Sequence, residues 1–255
     1  MQFIDTHAHL NYNPLLKNHE AVIEEALKSN VIKIIVVGTD IQNSYAAVKL
    51  AEKFDNVYAA AGYHPHDIEN AKEGWQKELE RLLRHEKTVA LGEIGLDYYR
   101  NYSPHDLQKK FFPAQIEMAR SMNLPMIIHN RAADDDTLDI LQKTGYTKGV
   151  MHCFGSDADY AKKMTDLGLM ISFTGNITYK NNKKGQQAVQ ATPIEKLMLE
   201  TDCPFLSPEP RRGTTNQPAN IPFIADKVAA LKSLSIEEVA EITTENANRF
   251  FKLQQ

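Results

Sequence analysis

Cysteine is almost missing from this sequence: Cys153 and Cys203 are its only two. Two are too few for a disulfide framework, and both are expected to be small buried hydrophobes. Long apolar runs are missing too. No stretch approaches the roughly 20 residues of a membrane helix, and the opening MQFIDTHAHL has neither a basic leader nor a small-residue cleavage site. A soluble, cytoplasmic protein without a membrane partner is expected. An excess of positive charge is also lacking, the formal net charge being −4, so the molecule as a whole does not attract polyanions. This disfavours a nucleic-acid binding module more than a nuclease, because bound divalent cations can supply charge locally. No Gly-x-Gly-x-x-Gly follows the first apolar run, and no organic cofactor is expected.

What the sequence does contain is a repeating alternation. Short β-branched runs fall at Phe3 to Asp5, Ile32 to Val37, Val57 to Ala61, Thr88 to Leu91, Met126 to His129, Gly149 to His152, Leu169 to Phe173 and Lys196 to Glu200. Between them, apolar residues recur at helical spacing, as in Val22, Ile23, Ala26 and Leu27, or Phe111, Ile116, Ala119 and Met122. Eight strand and helix units in about 250 residues predict an α/β fold of the (β/α)8 TIM-barrel type. An open doubly wound sheet is the alternative, and the missing glycine fingerprint speaks against it. No internal repeat or linker marks a second domain, so residues 1–255 are read as one domain, expected to be monomeric. Ser235, with Glu238 three residues on, predicts a capping box that opens a closing helix to Leu253. The longest irregular stretch, Pro204 to Pro218, leaves the eighth strand and should overhang the barrel mouth.

Chemistry-bearing residues gather at the strand ends. In the first strand, the two-residue period turns Asp5, His7 and His9 to one side, where two imidazoles can share a metal. A His-x-His pair alone carries little weight, and a second one, His64 and His66, is interrupted by Pro65. Of that second pair, His64 is a candidate contact to substrate or water, while His66 reads as an exposed loop histidine. Glu93, His129, His152 and Asp202 each stand at or just beyond the C-terminal end of a different strand, and in a barrel those ends form one rim. Any one of them could be a core histidine or a helix cap. Six on one rim point to a metal site.

Nitrogen and oxygen donors without a thiolate cluster suit Zn²⁺, Mg²⁺, Mn²⁺, Co²⁺ or Ni²⁺. Six ligands, His7, His9, Glu93, His129, His152 and Asp202, suggest two divalent ions, with Glu93 the natural bridge. Such a pair activates water for hydrolysis, and Asp202 is positioned to accept its proton. Cys153 and Cys203 should point away from the site if strand alternation persists.

The segments FIDTHAHL, GYHPH, GEIGLDYY, MIIHNR, MHCFGS and LETDCPFLSP resemble, in order and from end to end of the chain, the motifs of the TatD-type deoxyribonuclease family. That family belongs to the amidohydrolase-like barrels. The resemblance implies a metal-dependent phosphodiesterase acting on DNA as a 3′-5′ exonuclease. It puts His7, His9, Glu93 and Asp202 at one metal and Glu93, His129 and His152 at the other. It further implies that His64 contacts phosphate or water and that Asp97, Arg131 and Glu200 support the site. The chain departs from the family in the long loop. There RRGTTNQP keeps Arg211, Arg212, Asn216 and Pro218 but has Thr214, Thr215 and Gln217 where a basic run with a carboxylate is usual.

For a nuclease, Arg131, Arg212, Lys180, Lys183 and Lys184 are the candidate phosphate contacts, and Tyr98, Tyr99 and Tyr102 around Arg100 could stack on bases. The same metal site could instead serve a small-molecule amidohydrolase, lactonase or phosphoesterase. A non-catalytic binding protein would have no use for activated water.

Overall fold

The computed structural model describes residues 1–253. Eight parallel strands pair in sequence order: β1 Phe3–Ala8, β2 Val31–Val37, β3 Val57–Ala61, β4 Thr88–Asp97, β5 Met126–Arg131, β6 Gly149–Met151, β7 Met170–Phe173 and β8 Leu197–Leu199. Parallel neighbours require crossovers, and helices supply them. These are α1 His19–Lys28, α2 Ile41–Lys53, α3 Trp75–Leu83, α4 His105–Ser121, α5 Asp134–Thr144, α6 Ala158–Asp166, α7 Lys183–Ala191 and α8 Ile221–Lys232, followed by α9 Ile236–Phe251. The fold is the expected (β/α)8 barrel. No helix among the described residues is long and apolar enough to cross a membrane.

Strand alternation divides the apolar side chains between two cores. Ile4, Ile35, Ala60, Ile127, Val150, Met170 and Met198 fill the barrel interior. Val36, Val57, Leu91, Ile128, Ile171 and Leu199 face outward into the layer between sheet and helices. The last helix closes the interior from below. Ala247, Phe251 and Leu253 join the inner cluster, and Asn246 Nδ2 donates to the carbonyls of Ile194 and Leu197 at the start of β8. Its capping box is present as expected. Ser235 Oγ accepts from the Glu238 N–H at 3.2 Å, and Glu238 Oε2 accepts from the Ser235 N–H at 2.8 Å, an arrangement worth about 1 kcal/mol.

One departure from the expected strand limits affects the site. β4 does not stop at Leu91 but runs through Glu93 to Asp97, so Glu93 is held by a strand and not by a loop. Gly95 makes this extension possible, since a Cβ there would lie 2.0 Å from the His129 carbonyl oxygen. The seam between β1 and β8 is closed by few bonds: Thr6 Oγ1 to Leu199 O at 3.1 Å, Asp202 N–H to His7 O at 2.9 Å and His9 N–H to Cys203 O at 2.8 Å. Buried Asp5 locks the same seam, accepting from Thr201 N–H and Thr201 Oγ1 at 2.9 and 2.6 Å. Burial raises its carboxyl to about 7.

Candidate metal centre

The strand ends bring all six expected ligands together, and the two oxygens of Glu93 divide them. Oε2 lies 3.4 Å from His7 Nε2 and 3.8 Å from His9 Nε2. Oε1 lies 2.8 Å from both His129 Nδ1 and His152 Nε2. Asp202 completes the first group, its Oδ1 standing 3.7 and 3.5 Å from Nε2 of His7 and His9. The histidine nitrogens themselves converge, at 3.1 Å between His7 and His9 and 3.3 Å between His129 and His152.

The remaining ring nitrogens explain which atoms are presented. His9 Nδ1 is 3.1 Å from Val37 O, His129 Nε2 is 3.0 Å from Asp97 Oδ2, and His152 Nδ1 is 3.3 Å from Glu200 Oε1. Each of these acceptors fixes a proton on the far side of its ring and turns a lone pair toward Glu93. Glu200 is in turn held by the Cys153 N–H at 2.6 Å and Ser172 Oγ at 2.6 Å. His7 differs: its Nδ1 is buried with no partner among the described residues, and its ring stacks on His152 at 4.1 Å between centroids.

Lone pairs facing carboxylate oxygens repel unless a proton or a cation lies between them. The electrostatics record that demand. Burial alone would depress His152, yet the charges of Glu93 and Glu200 hold it well above the usual imidazole range. Burial likewise opposes the charged form of His129 and His9, and bonds to Asp97, Glu93 and Asp202 raise both. Glu93 and Asp202 are held below the usual carboxylate range by these histidines, against the effect of burial. Such a donor set fits divalent cations, which displace the protons and take up the lone pairs.

His64 is built differently. Its Nδ1 accepts from the His66 N–H at 3.0 Å, so Nε2 carries the proton and points at Glu93 Oε1, 3.2 Å away. Burial lowers its pKa to about 4, which leaves it a neutral hydrogen-bond donor facing the cleft at neutral pH. His66 is not the exposed loop histidine expected from the sequence. It is half-buried, with Nε2 2.8 Å from Asp97 Oδ2, and the loop after β3 folds its ring over the site because Pro65 turns the chain back. With His64 and His129 it forms a third close group of donors.

The metal-facing residues form the floor of a cleft of about 1130 Å³. Arg100, Arg131 and Lys184 line it, and the Arg131 guanidinium lies 4.0 Å above the Tyr99 ring. Arg212 and Lys180 are not among the residues lining it, nor is Lys183. Arg212 packs 4.1 Å over the Tyr179 ring, while Arg211, Thr214, Thr215 and Gln217 line a separate hollow with Met1 and Phe3. The departures in the long loop therefore lie away from the floor. Of the three tyrosines, Tyr98 is occupied by Asp136 and His105, Tyr99 carries Arg131, and Tyr102 lines the cleft.

Cys153 also lines the cleft, contrary to the expectation that it points away. β6 ends at Met151, and Cys153 adopts a left-handed φ of 45°, so alternation no longer sets its direction. Cys203 is fully buried. Sequence reasoning also missed Phe205, which packs edge-on to His9 at 6.4 Å. The signal available was its place right after the Asp202 turn.

The chain matches the model for TatD related DNase over residues 4–252. It is 44% identical over 251 residues to the uncharacterized metal-dependent hydrolase YabD of Bacillus subtilis, covering 98% of each chain. With the uncharacterized metal-dependent hydrolase YcfH of Escherichia coli K12 it shares 37% identity over 264 residues, covering 99% of this chain and 97% of that one. The crystal structure of the TatD homolog YJJV from Escherichia coli superposes with a TM-score of 0.94 at 30% identity, covering 99% of this chain and 98% of that one. This chain belongs to the TatD-related DNase family and is a metal-dependent hydrolase.

Proposed function

We propose that this protein hydrolyses DNA phosphodiesters, removing nucleotides from 3′ ends. His7, His9, Glu93 and Asp202 would hold one divalent ion, and Glu93, His129 and His152 a second. The observation that carries this reading is the division of Glu93, whose two oxygens face two separate sets of imidazole nitrogens. Two ions held there would acidify a water and neutralise charge on a departing oxygen.

The chain's own residues do the rest. Asp202, ionised at neutral pH, takes the proton of the attacking water as its oxygen bonds to phosphorus and the bond to the leaving sugar oxygen breaks. His64 donates its Nε2 proton as a hydrogen bond to a phosphoryl oxygen, a role that its depressed pKa and fixed tautomer support. Arg131, at the end of β5, meets a neighbouring phosphate from the rim.

Chelated protein, reconstituted in turn with Mg²⁺, Mn²⁺, Zn²⁺, Co²⁺ and Ni²⁺, should regain cleavage of single-stranded, double-stranded or abasic DNA. Activity that survives chelation would remove the metal mechanism. Robust turnover of lactones or simple esters with no DNA cleavage would replace phosphodiester hydrolysis with small-molecule chemistry.

A further inference from the structure

His66 keeps one ring nitrogen free. Its Nε2 donates to Asp97 Oδ2 at 2.8 Å, and that carboxylate is ionised and fixed at its other oxygen by the N–H groups of Tyr99 and Arg100, each at 2.9 Å. The ring proton is thereby placed on Nε2, and in the neutral ring Nδ1 is an acceptor. Nδ1 has no partner among the described residues, and it is not one of the unpartnered atoms sealed from solvent. The side chain lines the cleft and is 24% exposed. Its loop is pinned by the His66 N–H, which donates to His64 Nδ1 at 3.0 Å, and by Ser103 Oγ, which donates to the His66 carbonyl at 3.1 Å. Tyr102 packs edge-on to the ring at 4.8 Å. The acceptor is held in place, and no group among the described residues uses it.

Charge is unevenly placed along the cleft. Its Arg and Lys residues are Arg100, Arg131 and Lys184. Arg100 and Arg131 both lie over the Tyr99 ring, beyond the ends of β4 and β5, and Lys184 stands in the first turn of α7. Asp134, the acid at the start of α5, already accepts from Asn130 Nδ2 and Ser156 Oγ at 2.6 and 2.7 Å. The loop after β3 lends the cleft no Arg or Lys among the described residues. It lends His66 and Asp67 instead, a lone pair and a carboxyl group. A DNA backbone carries a phosphate at every step, and such acceptors repel each one. Phosphates are therefore drawn from the floor toward Arg131 and Lys184, and the part of a strand against the β3 loop is the part without a phosphate.

We propose that His66 Nδ1 accepts the hydrogen bond of the terminal 3′-hydroxyl, with Asp67 excluding a further phosphate, so that these two residues make the site select a free 3′ end. Apart from the bases, DNA offers no donor along its length: phosphates and sugar ethers only accept, and the 2′-hydroxyl of RNA is missing. At this end the single exception is the terminal hydroxyl. The ring of His64, which donates to a phosphoryl oxygen, is centred 4.3 Å from that of His66. The acceptor thus lies beside the phosphate donor, where the sugar esterified to that phosphate falls. An internal position would replace the hydroxyl by a phosphate and set it against Nδ1 and the Asp67 carboxyl. This inference rests on the phosphodiester reading above and specifies how the strand end is recognised.

The test uses the manganese-loaded protein and strands of one sequence that end in a 3′-hydroxyl, a 2′,3′-dideoxy sugar or a 3′-phosphate. The parent protein should favour the hydroxyl end over the dideoxy end on the order of tenfold in kcat/KM, and should cleave the phosphate end least. His66→Phe should reduce the hydroxyl preference to within about twofold, while His66→Gln, which keeps an acceptor, should retain part of it. Asp67→Asn should raise cleavage of the phosphate end relative to the hydroxyl end. Loss of the contact to Asp97 lowers all three rates together, so the ratio between ends separates hydroxyl recognition from a merely structural role. An unaltered ratio in His66→Phe would overturn the proposal. So would a parent that cleaves hydroxyl and dideoxy ends alike, or a phosphate end that Asp67→Asn leaves as poor as before. Should the parent cleave no strand at all, the phosphodiester reading fails and this inference with it, whereas cleavage with an unaltered ratio removes the inference alone.

Discussion

Asp97 stands behind His129: its Oδ2 is 3.0 Å from Nε2 of the ring whose Nδ1 is 2.8 Å from Glu93 Oε1. The carboxylate is buried and held below its ordinary range despite that burial, chiefly by bonds from His129 and His66 and from the Arg100 N–H. It therefore fixes the tautomer of a proposed ligand that it does not itself join. Replacing Asp97 by Asn should weaken divalent-metal binding about 10- to 100-fold. A competition titration with a metal-sensitive dye measures this directly, and unchanged affinity would remove Asp97 from the support of His129.

Gly95 has a φ of +140°, and a methyl group there would meet the His129 backbone. Gly95→Ala should destabilise the protein by about 3 kcal/mol or more and reduce bound metal, because β4 and β5 must part where Glu93 and His129 face each other. Thermal melts with metal analysis check both effects. A full metal complement and an unchanged melting temperature would show that the strands adjust at no cost.

Protonation of the histidines sets opposite trends for the metal-free and metal-loaded protein. His129 and His152 have folded pKa values raised above the ordinary 6.5. Their contribution to the metal-free fold is fully present below that value and lost as pH rises through the folded values. Glu93, Asp97 and Asp202 are lowered, so their contribution is lost only as acid reaches values below the ordinary carboxylate range. Metal binding requires the same imidazoles to release their protons, so affinity strengthens with pH. The gap in melting temperature between metal-loaded and chelated protein should widen from pH 6 toward pH 9, as scanning calorimetry can follow. A constant gap would mean that the histidines are unprotonated throughout.

Arg131 lines the cleft while Arg212 rests on Tyr179 outside it. Arg131→Ala should lower the slope of log affinity against log salt by about 0.7 for a single strand. Arg212→Ala should leave that slope unchanged. Equal slopes for the two variants would place the phosphate path over the long loop and not along the β5 rim.

The barrel and the six convergent residues were legible in the sequence because both depend on period: strands every few tens of residues, and donors at their C-terminal ends. What escaped were features set by single backbone conformations. The extension of β4 past Glu93 depends on Gly95 approaching His129, which no alternation pattern encodes. Cys153 turns into the cleft on a left-handed φ. His66 lies over the site because a loop, not a strand, carries it, so the side-chain period of two had nothing to say. Phe205 carries no periodic signal, because its place beside the site follows from where Asn216 ties the loop down.

The seam between β1 and β8 has a consequence for the order in which the protein becomes competent. His7 and His9 lie on the first strand, whereas Asp202 and the carbonyl of Cys203, which receives the His9 N–H, come nearly 200 residues later. Until the eighth strand emerges, the first has no partner on that side, and the histidines it carries face an open edge. Assembly of the site is thus deferred until the segment that carries Asp202 has been made, and a nascent chain that stops short of β8 lacks the carboxylate that faces His7 and His9.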